Sequence, residues 1–126
     1  FKKFLEEEVL VNKKEIKVPK DKISNGLFVN DFAKTLVEMY HKKLSGIFHI
    51  GSSDHVNNFE FAKEIANVFG YETDLIQETL FKEIFYEKNL IAKRPLNTTL
   101  NIKKISAIIK MPSFKDVINS FYENTT

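Results

Sequence analysis

"GIFHIGSSDHVNNFEFAKEIANVFG", Gly46 to Gly70, decides the fold. Its opening run, Gly46 to Ile50, lacks polar alternation, which suits a strand covered on both faces in a parallel sheet. "GSSDHV" then reads as a loop. In "NNFEFAKEIANVFG", Asn57 and Glu60 have the spacing of a capping box, and Gly70 stands where a helix C-cap belongs. Phe61, Ala62, Ile65, Ala66 and Phe69 share the face that this helix should bury. A strand feeding a helix in this way is the α/β pattern.

The flanks extend it. Upstream, "VNDFAKTLVEMYHKK" predicts a helix capped by Asn30 or Asp31, with Phe32, Ala33, Leu36, Val37 and Tyr40 on one stripe. Before it, Phe1, Phe4 and Leu5 share a helical face, and "EIKVP" alternates Ile16 and Val18 with Lys17 as a short strand ending at Pro19. "DKISNG" reads as a reversal in which Asn25 and Gly26 supply left-handed conformations. Downstream, "TDLIQET" predicts a strand, and "LFKEIFYEKNLIAKRP" a loop with a helical turn. Asn101 should cap a short helix through Ile105 and Ile108. A last helix should pack Phe114, Val117, Ile118, Phe121 and Tyr122. The expectation is α/β with few short strands and about five helices. Such strands lack neighbours, and the chain opens at Phe1 without an initiator methionine. Further sheet is therefore expected before Phe1, in a longer protein.

Composition bounds the function. At 126 residues and 43% hydrophobic, the chain is expected to form one domain, residues 1–126. It has no cysteine, so disulfides, zinc–thiolate sites and cysteine nucleophiles are excluded. His41, His49 and His55 show no metal-ligand spacing, and His49 is expected to be a core histidine within its strand. Glu6, Glu7 and Glu8 read as a solvated helix face. A net charge of +2 argues against a nucleic-acid partner, and no apolar run approaches the roughly 20 residues of a membrane span. A cytoplasmic location is the expectation. Charge is nevertheless segregated: Glu60 to Glu87 holds seven acidic and two basic residues, and Lys88 to Lys115 seven basic and no acidic ones. Two solvated faces of opposite sign explain this more simply than a phosphate-binding field.

Cofactor chemistry is absent from this stretch. Gly26, Gly46, Gly51 and Gly70 do not have the spacing that brings backbone amides to a pyrophosphate. Gly46 and Gly51 match the outer glycines of a P-loop, but Ser52 and Ser53 follow where Lys and Ser/Thr are required. Tyr40, Tyr71 and Tyr86 are each followed four residues on by leucine, so no Tyr/Lys proton-donor pair is encoded. No catalytic, cofactor-binding or metal-binding residue is assigned.

In order, "FVNDFAKTLVEM", "SGIFHIGSSD", "NFEFAKEIANVFG", "AKRPLNTTLNIKKI" and "MPSFKDVINSFYE" resemble the C-terminal half of dTDP-4-dehydrorhamnose reductases, members of the extended short-chain dehydrogenase/reductase superfamily. The resemblance spans essentially the whole chain. It implies a C-terminal substrate-binding part whose N-terminal Rossmann domain, with NADPH or NADH and a Tyr-x-x-x-Lys pair, is missing from this sequence. The complete enzyme would reduce the 4-keto group of a dTDP-sugar to give dTDP-L-rhamnose, with a homodimer as one option. The regulatory subunit of methionine adenosyltransferase resembles the same half, so a non-catalytic regulatory role is the alternative, as is a truncated fragment without activity. Where relatives have Gly-x-Pro-Thr before Tyr-Val-x-Asp, this chain reads "SNGLFVND", which lacks the Pro-Thr and leaves Phe28 as the aromatic of that loop.

Three residues are the substrate-binding candidates. Arg94 is the lone arginine beside eighteen lysines, and it matches the family's Arg-Pro-x-Asn-[Ser/Thr]-x-Leu-[Asp/Asn] pattern in "RPLNTTLN". A guanidinium grips a diphosphate bidentately where an ammonium cannot. Lys88 and Lys93 would assist it. A structural Arg94, docking this tail through a carboxylate or carbonyls, weighs equally. Asn97 could contact substrate, although bonding to its own turn is the simpler role. Phe28 could stack on a base, although core packing is the simpler role.

Overall fold

The computed structural model describes residue 3, residues 6–85 and residues 94–125. In chain order the elements are a π-helical turn Glu6–Val11, β1 Ile16–Pro19, β2 Ile23–Ser24, α1 Val29–His41, β3 Val56–Asn57, α2 Asn58–Phe69, a 3-10 turn Thr73–Leu75, β4 Ile76–Thr79, α3 Phe81–Phe85, α4 Lys103–Ser106 and α5 Phe114–Thr125. The architecture is α/β, as expected. The chain divides into two compact units, one of Phe1–Ser24 with Val56–Thr98 and one of Asn25–His55 with Thr99–Thr126. Phe1, Phe4 and Leu5 lie outside the described residues.

In the first unit, β1 and β4 pair in parallel from Ile16↔Ile76 to Pro19↔Thr79. Parallel neighbours need a crossover, and α2 lies within it, packed on both strands. Its apolar spacing explains the packing: Ala62, Ile65 and Ala66 are buried on the helix, as are Ile16, Val18 and Ile76 on the strands it packs on. The predicted caps hold. Asn57 Oδ1 accepts from the Glu60 N–H at 2.8 Å, and Gly70 ends the helix at φ 73°. Tyr71, just beyond, is buried and donates to Glu6 Oε1 at 2.8 Å. Burial, then the hydrogen bond and the charge of Glu6, push the phenol up to about 12. Glu6 therefore anchors the π-helical turn, where a solvated face was expected. Lys13, at φ 48°, pairs with Glu72.

In the second unit, Ile105, Ile109 and Met111 form a core with Leu27, Met39, Leu44, Phe48, Ile50 and Ile102 around it. α5 buries Val117 and Ile118. It is capped twice: Ser113 Oγ accepts from the Asp116 N–H at 3.2 Å, and Asp54 Oδ1 accepts from the Phe114 N–H at 2.7 Å. The Asp116 carboxyl is held below the usual range by the Ser113 hydroxyl and then the Ser113 amide.

Four expectations are corrected here. Residues 46–50 form no strand among the described residues; Ile47 is 80% exposed, and its carbonyl accepts from Lys104 Nζ at 2.8 Å. A strand needs a neighbour to take its N–H and C=O groups, and among the described residues no strand pairs with this run. His49 is consequently exposed, not a core histidine. Phe28, not Asn30 or Asp31, occupies the N-cap of α1, and Asp31 falls in the first turn, where its charge suits the helix dipole. Asn25 and Gly26 make no left-handed reversal: neither has positive φ. The apolar stripe of α1 does form, but it faces outward. Leu36, Val37 and Tyr40 are 45%, 56% and 80% exposed, while Thr35 is buried.

Candidate functional site

The segment "RPLNTTLN", Arg94 to Asn101, is held by its main chain and exposed along its side chains. Ile23 takes the first part. Its N–H donates to Leu96 O at 2.8 Å, its carbonyl accepts from the Thr98 N–H at 3.0 Å, and Ile23 and Asn97 form a parallel bridge. β2 is engaged on its other edge by β3, with Ile23 opposite Asn57 and Ser24 opposite Val56. Pro95 helps by biasing Arg94 toward extended backbone, the conformation such pairing needs.

The second part is taken by a side chain. Asn25 is only 6% exposed, and its carboxamide brackets Leu100: Oδ1 accepts from the Leu100 N–H at 2.8 Å and Nδ2 donates to Leu100 O at 3.0 Å. Nδ2 also reaches Ser52 O at 3.4 Å, and the Asn25 carbonyl accepts from the Ser52 N–H at 3.0 Å. Gly51 lies directly against this group, since a Cβ there would fall 2.6 Å from Asn25 O and 2.8 Å from its Nδ2. Ile102, not the expected Asn101, is the N-cap of α4, and the helix ends at Ser106, short of Ile108; Asn101 Oδ1 accepts from the Lys103 N–H at 3.1 Å from just ahead of it.

The predicted residues fall as follows. Arg94 and Asn97 lie in the first unit, exposed on this segment. Phe28 lies in the second, half-buried, with its ring edge-to-face to Phe121 at 5.2 Å. Lys88 and Lys93 lie outside the described residues. Among the described residues, no group of three or more His, Asp or Glu side chains could hold a metal, and no helix is long and apolar enough to cross a membrane. A shallow depression of about 460 Å³ along α1, lined by Ala33, Lys34, Val37, Glu38 and His41, includes none of the three candidates. The sequence assigns Asn25 to a turn and Gly51 and Ser52 to a failed P-loop match, and gives none of them a place beside Leu100. The departure from Gly-x-Pro-Thr pointed to this loop, but Asn beside Gly has the pattern of an ordinary turn.

The model of the RmlD substrate binding domain matches residues 1–126. The chain belongs to that family. Three solved structures share this RmlD-type fold. A dTDP-4-dehydrorhamnose reductase from Bacillus anthracis str. Ames, in complex with NADP, is 21% identical with a TM-score of 0.80, over 98% of this chain and 42% of that one. A dTDP-4-dehydrorhamnose reductase from Clostridium acetobutylicum ATCC 824 is 19% identical with a TM-score of 0.80, over 98% and 43%. The reductase from Yersinia enterocolitica is 17% identical with a TM-score of 0.72, over 94% and 42%. This RmlD-family chain thus spans about two-fifths of the length of those proteins. No curated protein matches it in sequence.

Proposed function

We propose that residues 1–126 are the C-terminal substrate-binding domain of a dTDP-4-dehydrorhamnose reductase-like protein of the cytoplasm. In the complete enzyme a dTDP-sugar would be reduced at its 4-keto group by NADPH or NADH to give dTDP-L-rhamnose. The observation that carries the reading is the Arg94–Asn101 segment. It bears the family pattern, its main chain is held by Ile23 over its first part and by Asn25 over its second, and its side chains are exposed.

Within that reading, Arg94 takes the diphosphate, since its planar fork matches two phosphate oxygens at once. Asn97 offers a carboxamide to the sugar or the base. Phe28 offers a ring edge while its body packs on Phe121. The glycines here do not fit a dinucleotide, so cofactor contacts and proton transfer are assigned to a Rossmann domain outside this sequence. Support for such a companion comes from the apolar run 46–50, which pairs with no strand among the described residues, and from the outward stripe of α1. Both are what a helix and strand look like when their sheet lies elsewhere.

The test is a reductase assay on the full-length protein with dTDP-6-deoxy-L-lyxo-4-hexulose and NADPH or NADH. Hydride transfer is expected, read as loss of reduced-nicotinamide absorbance. Its absence with both cofactors overturns the enzymatic reading.

A further inference from the structure

Resting on that reading, we infer that Asn25 is a positioning residue of the nucleotide-sugar site, its carboxamide acting as a peptide unit that holds residues 99–101 in place. Asn25 touches no ligand in this role and acts through Leu100. The geometry is that of a strand pair in which one partner is a side chain. A carboxamide presents one acceptor and one donor in a plane, as a peptide group does. Here it meets both the N–H and the carbonyl of Leu100, at 2.8 and 3.0 Å. Thr99 and Asn101, either side of Leu100, are exposed and belong to the family pattern's span.

The site is built around this group. Asn25 is 6% exposed, and its polar atoms face main-chain groups of Ser52 and Leu100. Gly51 leaves the space the carboxamide occupies, because any Cβ there would collide with the Asn25 backbone oxygen and amide. An ordinary turn asparagine needs none of this. Chemistry also restricts the residue type. Ionised aspartate could accept from the Leu100 N–H but could not donate to its carbonyl, and alanine could do neither.

Neutral aspartic acid could do both. That gives a readout which a purely structural role would not move. In full-length protein, dTDP binding is measured by calorimetry at pH 8 and pH 5 for wild type, Asn25→Asp, Asn25→Ala and Gly51→Ala, each ratioed to wild type at the same pH. The Asn25→Asp carboxyl would be buried against two carbonyls, which disfavours its charge and raises its titration toward the lower pH used. Asn25→Asp should bind about tenfold more weakly at pH 8 and return to within about twofold at pH 5. Gly51→Ala should weaken binding at both, with no recovery, and Asn25→Ala likewise if it folds. Folding is checked by thermal melting. If folded Asn25→Asp matches wild type at pH 8, or its deficit is unchanged at pH 5, the positioning role is overturned while the substrate reading stands. If wild type itself fails to bind dTDP, the substrate reading falls and takes this role with it.

Discussion

Asn25 and Leu100 are joined as two peptide units of neighbouring strands would be, through one N–H and one carbonyl, although one of the two units is a side chain. In the other unit, the Ile23 main chain holds Leu96 and Thr98.

Of the four glycines, Gly51 leaves the least room for a methyl. Its Cβ would lie 2.6 Å from a backbone oxygen that cannot swing aside. Gly51→Ala should cost about 1–3 kcal/mol of stability, the range for overpacking, whereas Gly26→Ala, with open space around its Cβ, should cost far less. Urea unfolding of both variants checks the contrast.

Arg94→Lys keeps the charge and removes the fork. Affinity for a dTDP-sugar should fall by about 1–3 kcal/mol in the full-length protein, with the melting temperature unchanged. Unchanged affinity with a lowered melting temperature would assign Arg94 to docking the tail instead.

The two ends of α2 should behave as independent caps. Asn57→Ala removes the acceptor of the Glu60 N–H and should cost about 1 kcal/mol. Gly70→Ala should cost a similar amount, about 1 kcal/mol, because alanine at φ 73° is strained even though its methyl meets nothing. Denaturant melts of the single and double variants should show additive losses, since the caps share no partner.

Tyr71 gives a pH signature with a definite sign. Its titration is raised from an ordinary 10.0 to about 12 in the folded chain. The neutral phenol therefore favours folding fully below pH 10, and this contribution is lost as pH rises through about 12. Tyr71→Phe should be less stable than wild type at neutral pH by about 1 kcal/mol, and the gap should shrink between pH 10 and pH 12. A gap that stays constant across that window in stability measurements would rule out the Glu6 contact as its source.

Ile47 reports on the proposed companion sheet. It is 80% exposed here, so within these residues a polar replacement removes no packing. In full-length protein, Ile47→Asp should lower stability by about 2–4 kcal/mol if a sheet covers it, since a carboxylate would then be buried without a partner. Indifference to the substitution would mean that this run faces water.

Much of this protein was legible residue by residue because the forces involved are local. Asn57, Glu60 and Gly70 delimit α2 through bonds spanning three or four residues, and Ile16 and Val18 declare β1 by alternation. Arg94 drew attention as the lone arginine and through a family resemblance, neither of which says what its side chain meets. What stayed hidden depends on partners distant in sequence. Asn25 has the pattern of a turn until Leu100, seventy-five residues on, is brought to its carboxamide. Gly51 is unremarkable until that carboxamide fills its space. The run 46–50 has the composition of a buried strand, but a strand exists only where another backbone accepts its hydrogen bonds, and composition cannot say where that backbone is. Tertiary structure alone decided which apolar faces were covered, because burial is a property of pairs of surfaces and each sequence stretch supplies only one.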